Sequence, residues 1–294
     1  MVLEHIFPED WLEKRTWFAF VLGAGYSLVG ILIASILFPG DPALVAVAFT
    51  SLLLLPELYK MFEMEERKER MEKAVTFKAL WKDDIDLVKI YIFLFLGILM
   101  VYSFATMILP SFETNTLFRE QLEIRLGQGF AGQAVAGVFG SDLFWSLLSN
   151  NFMVMLACFF LALLTGDGAI FLITWNASVW GTIFGFTAKS ASMISGDHPF
   201  LVFGTVMLIV FPHMMIEAIC YFLAAISGSV ISKDVLLEKL DSDRFMEVFS
   251  FNLYLLFAAL VFLVVGCAVE TFVLENATVY QTIIDQSMLA LRRF

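Results

Sequence analysis

"FFLALLTGDGAIFLITW", Phe159 to Trp175, sets two apolar runs back to back around a turn of two glycines and an aspartate. The upstream run reaches back to Phe144 and the downstream run continues to Ala188, with no charged side chain in either. Each is about 20 residues long, the length a helix rising 1.5 Å per residue needs to cross roughly 30 Å of hydrocarbon. The stretch therefore reads as a transmembrane hairpin. Applied to the rest of the chain, the same criterion gives spans near 17–38, 43–59, 90–109, 144–165, 170–188, 200–231 and 248–272. "PGDP", Pro39 to Pro42, supplies a second tight turn, between the first two.

Composition agrees with that reading. Of 294 residues, 60% are hydrophobic and 32 are Phe, with a mean hydropathy of +0.84, far beyond an ordinary soluble domain. The fold expected is an all-α, polytopic transmembrane helical bundle of about seven spans, embedded in the lipid bilayer. The first apolar run is longer than a signal-peptide core and is expected to remain as a membrane helix. Cys158, Cys220 and Cys267 all fall in apolar runs, which gives no disulfide framework and no thiolate metal site. A formal charge of −11 excludes nucleic acid as a partner, and no cofactor motif is present.

Charge also orients the chain. With seven spans and the N-terminus inside, thirteen of the eighteen Lys and Arg fall in inner segments, the pattern of a multi-pass cell-membrane protein with its C-terminus outside. The chain then divides into an N-terminal segment and hairpin (1–59), an inner charged stretch expected to form a surface helix (60–89), a five-helix membrane core (90–272) and a C-terminal tail (273–294). The outer segment 110–143 holds a short helical stretch and Gly-rich apolar sequence, to lie along the interface or dip into the protein. Segments 110–143 and 60–89 are the two candidate surfaces for protein partners.

Polar residues inside the membrane carry the functional question. "PHMMIEA", Pro212 to Ala218, lies in the sixth span, where Pro212 removes a backbone donor and is expected to kink or break the helix. His213 and Glu217 are four apart and share a helix face. A carboxylate in hydrocarbon is costly, so Glu217 is expected to be protonated, paired or facing water. Counting along the helices sets Glu217 about 26 Å from the outer end of the sixth span and Asn176 about 9 Å from the inner end of the fifth, which makes Asn176 the candidate partner of His213 and Glu217. Asn150 and Asn151 read as a helix-entry cap or turn. Ala177, Gly181 and Gly185 form a small-residue face, and with "AAISGS" at the end of the sixth span they predict close packing of the fifth helix on the sixth, and a surface suited to self-association. "HMMIE" is not a metalloprotease motif, and His5 and His198 lie far from His213 in sequence, so no metal site and no catalytic residue are expected.

These residues carry a resemblance. "NNFMVMLACFFLALLTGDGAIFLITWNASVWGTIFG" and "PHMMIEAICYFLAAISGSVIS" resemble the stage II sporulation protein M family, and "VKIYIFLFLGILMVYSFATMILP" is similar to that family's first core helix. The resemblance covers roughly 75–272, a five-helix core to which the hairpin 17–59 is an addition. Asn150 and Asn151 match its Asn pair, Gly166 and Gly168 its turn, Asn176 its second Asn, and Pro212, His213 and Glu217 its last motif. Ala177 and Met214 stand where the family has Gly. The resemblance implies a non-enzymatic membrane protein that holds partner proteins in a complex. Against it stands a transporter or permease component, in which carbonyls freed by Pro212, with His213 and Glu217, line a path for a proton, an ion or a lipid-like substrate. An intramembrane hydrolase is a third and weaker reading.

Overall fold

A computed structural model describes residues 15–71, 77–127, 141–237 and 242–293. Among them every regular element is a helix: α1 (Phe18–Leu37), α2 (Pro42–Met71), α3 (Phe77–Ile108), α4 (Ser111–Leu117), α5 (Arg119–Gly127), α6 (Ser141–Thr165), α7 (Ala169–Ser195), α8 (Pro199–Leu237), α9 (Asp243–Asn276) and α10 (Thr278–Arg293). Seven of these are long and apolar enough to cross a membrane, at 18–37, 42–62, 84–108, 142–165, 169–195, 199–233 and 243–276. The protein is an all-α, multi-pass membrane bundle.

Two groups of helices build it. In one, the hairpin α1–α2 packs on α3, and α3 packs on α7; in the other, α8 packs on α6 and α9; α7 and α8 join the two. Rings from three helices fill the seam. Tyr91 stacks on Phe222 at 5.5 Å between centroids, and Phe95 meets Trp180 edge-on at 5.6 Å and Phe222 at 5.7 Å. Such pairs add directional preference to the burial itself. Because lipid is as apolar as these side chains, close backbone approach supplies much of the rest. At Gly181 a Cβ would sit 2.5 Å from Leu99 O, and at Gly185 it would meet Ser103 O.

That contact corrects the expected pairing. The small face of Ala177, Gly181 and Gly185 does not seat α7 on α8: Gly181 and Gly185 close on α3, while α7 packs on α8 through other residues, among them Trp180, whose ring stands 6.5 Å from that of Tyr221. The small residues late in α8 serve other partners. A Cβ on Gly228 would stand 2.9 Å from Ala162 on α6, and Ser227 Oγ donates to Asn252 O on α9 at 2.8 Å.

The opening turn is as the sequence indicates. Gly166 has φ +82, a conformation that favours glycine, and Gly168 N–H donates to Thr165 Oγ1 at 3.0 Å. Ser229 Oγ donates to Gly166 O, and Lys233 Nζ lies 3.5 Å from Asp167 Oδ1 and 4.2 Å from the Phe62 ring. Burial pushes the Asp167 carboxyl above its ordinary range, and the Lys233 charge pulls it part of the way back. This corner ties α2, the α6–α7 turn and α8 together.

Four further expectations need correction. First, α8 runs unbroken through Pro212 as one 39-residue helix, so the sixth span is not a broken pair. Second, the charged stretch 60–89 is no separate surface helix; α2 continues to Met71 and α3 begins at Phe77, extending the spanning helices beyond their apolar parts, while 72–76 lie outside the described residues. Third, the tail 273–294 finishes α9 and then forms α10. Tyr280, Ile283, Ile284, Ser287 and Ala290 recur at helical spacing on the buried face of α10, which packs on α7. Fourth, the hairpin 17–59, expected as an addition to a five-helix core, is packed into the bundle, α1 on α3 and α2 on α7.

The outer segment does enter the bundle. α4 and α5 turn back from the end of α3, Phe118 packs on Tyr102 at 5.4 Å between rings, and Gln121 Nε2 donates to Ser178 Oγ at 3.4 Å. Lys189 Nζ reaches across to donate to Leu109 O and, at 3.4 Å, to Thr106 O. It thereby holds a positive charge at the C-terminus of α3, where the helix dipole favours one. The Gly-rich part, 128–140, lies outside the described residues.

Candidate functional site: a buried acid pair

The intramembrane polar cluster is assembled by α6, α8 and α9. Glu217 on α8 faces Glu270 on α9, with the two carboxyl groups within hydrogen-bonding reach of each other. Glu217 is 3% exposed and Glu270 5%. The helices come this close because Gly266 lies opposite Glu217; a Cβ there would stand 2.8 Å from Glu217 Cγ. One turn along α8 from Glu217, Tyr221 Oη donates to Asn151 Oδ1 at 3.0 Å, and Asn151 Nδ2 points to Cys267 Sγ at 3.7 Å. Cys267 follows Gly266 on α9, so one chain of polar contacts runs from α8 through Asn151 of α6 to α9. Glu217 Oε1, Glu270 Oε2 and His213 Nδ1 are buried without hydrogen-bond partners.

The sequence-predicted residues divide at this site. His213 and Glu217 are both buried on one face of α8, as their spacing requires, but the acid's partner is Glu270. Asn176 does not join them. Its Nδ2 donates to Leu172 O at 2.8 Å, one turn back in its own helix. The depth count misled because α8, at about 58 Å, is longer than a ~30 Å hydrocarbon core, so its first residue does not mark the membrane surface. Counted instead along each helix from the turn end of the bundle, Glu217 stands about 18 Å from Ser229 and Asn176 about 10 Å from Ala169, the first residue of α7. Asn150 and Asn151 are not a helix entry either. They lie well inside α6 (Ser141–Thr165), with Asn151 in the cluster and the exposed Asn150 donating to its Oδ1 at 3.3 Å. His198 is exposed near the start of α8, and His5 lies outside the described residues.

Tyr221, Gly266, Cys267 and Glu270 are the members that sequence reasoning missed. Glu270 stands two residues inside the end of the predicted 248–272 span, after 22 positions without a charge, and so reads as a membrane boundary rather than a buried acid. Among the described residues no three His, Cys, Asp or Glu side chains converge to hold a metal ion.

Asn151, His213 and Glu217 are thus buried along one seam of the bundle, and the sequence pattern of one family, stage II sporulation protein M, matches residues 43–273. The chain belongs to the stage II sporulation protein M family. The match begins at the start of α2, so the family region takes in the second helix of the hairpin as well as the five later spans. No curated protein and no solved structure matches the chain. Within the family region, Asn151, Gly166 and Glu217 all serve the contacts between helices described above.

Proposed function

We propose that this member of the stage II sporulation protein M family is a non-enzymatic scaffold of the cell membrane, which organises a partner complex and has its N-terminus on the cytoplasmic side. The observation that carries this reading is the direction in which Pro212 faces. Pro212 and Leu208, the residue whose carbonyl the missing N–H would have engaged, are both on the exposed face of α8, while His213 and Glu217 are on the buried face. The freed carbonyl therefore opens away from the acid pair, which leaves the pair enclosed by α6 and α9. A transport path through broken-helix carbonyls needs the opposite arrangement. The charged ends of α2 and α3 and the strap α4–α5 are the surfaces on which partners would be held.

The paired acids favour one rival, an ion-coupled transporter component, because acids inside a membrane often mark proton relays. Flux separates the two. The purified chain in sealed vesicles under an imposed pH or Na⁺ gradient is expected to leave the gradient at the rate of protein-free vesicles. A leak that Glu217→Gln abolishes would overturn the scaffold reading.

A further inference from the structure

We infer that Glu217 and Glu270 together form a proton-binding site that fastens α8 to α9. Two carboxyl groups can share a hydrogen bond only if one of them carries a proton, and like charges in contact in a low-dielectric interior cannot both ionise. The surroundings leave the proton as the ligand. No Lys or Arg forms an ion pair with either acid among the described residues. A bare alkali cation would need a shell of several oxygens, and Asn151 Oδ1 in the same cluster already accepts from Tyr221 and Asn150. Glu217 Oε1 and Glu270 Oε2 are orphaned, as is His213 Nδ1 at 4% exposure, so nothing else in the cluster neutralises a second negative charge.

The groups facing the pair from each packed element are few. Those buried in the cluster are His213, Cys220 and Tyr221 on α8, Cys267 on α9 and Asn151 on α6. The charges on the other helices packed against α8 are engaged or lie elsewhere: Lys189 of α7 on carbonyls of α3, Lys89 of α3 on Asp86, and Asp285 of α10 exposed. Loss of the shared proton would leave two anions in contact beside Gly266, where no side chain buffers the two helices. The α8–α9 contact is therefore held at low pH and loosened as pH rises through the titration of the pair. This inference is independent of the scaffold reading: flux would overturn that reading without touching this one.

The test uses the full chain in lipid nanodiscs. At neutral pH, infrared spectra are expected to contain a protonated-carboxyl C=O band that shifts on ¹³C labelling of glutamate carboxyls and is lost in Glu217→Gln/Glu270→Gln. Raising the pH is expected to lower the thermal midpoint of the wild type and to leave that of the double variant nearly level. No glutamate band at neutral pH, a band that survives the double substitution, or an equal pH slope in both proteins would overturn the inference. Should the double variant fail to fold, Glu217→Gln and Glu270→Gln are measured singly: loss of the band in each supports the pair, and a band unchanged in both overturns it.

Discussion

Gly185→Leu is expected to cost the bundle about 3 kcal/mol, the upper range for forcing extra volume into a packed contact. The new side chain would meet Ser103 O, a backbone atom that yields only if α3 and α7 separate along the face that Gly181 also closes. Separation would also disturb the Lys189 contacts with the end of α3 and the Phe95–Trp180 ring pair. Gly204→Leu is the control, because nothing lies within 4 Å of a Cβ at that position, and leucine in place of a helical glycine gains rather than loses intrinsic helix propensity. Thermal unfolding in detergent should show a large drop for the first and none for the second. Equal effects would mean that α3 and α7 do not pack through this face.

Glu270→Leu is the second large effect, with an expected loss of about 2–3 kcal/mol. Leucine removes the carboxyl within hydrogen-bonding reach of Glu217 and leaves that acid enclosed without a partner, which costs more than a bond between the two contributes. Glu217→Leu/Glu270→Leu should recover most of the loss, since two apolar side chains of similar volume need no partner. A double-mutant cycle on unfolding reads the coupling directly, and simple additivity of the two single losses would contradict a direct pair.

The sequence made the helices plain and their neighbours obscure, and the reason is physical. Uncharged runs of membrane-crossing length announce spanning helices, and Gly166, Gly168 and the "PGDP" turn announce where they reverse, because these are local requirements of backbone and bilayer. All seven spans could be read in this way. Partner choice is not local. Gly181 and Gly185 signal that some helix approaches closely, but nothing in "GTIFG" distinguishes α3 from α8. Glu217 demanded a partner, and a count from the helix start chose Asn176 because it assumed that a helix begins where the membrane begins. Glu270 was hidden by the opposite assumption, that an acid near the end of an apolar run has already left the bilayer. The amphipathic pattern of Tyr280, Ile283, Ile284 and Ala290 was present in the tail, yet it is shorter than a span and was passed over for that reason.

The scaffold reading depends on a closed seam between α6, α8 and α9, and the most direct test of that closure is the reactivity of Glu217→Cys in a background free of Cys158, Cys220 and Cys267. A membrane-impermeant thiol reagent applied from each side should leave the new thiol unmodified while labelling Phe112→Cys, whose native side chain is 83% exposed at the start of α4. Protection from both sides, with the protein folded, is the predicted result. Modification of Glu217→Cys from either side would mean that water reaches the acid pair and would contradict the closed bundle.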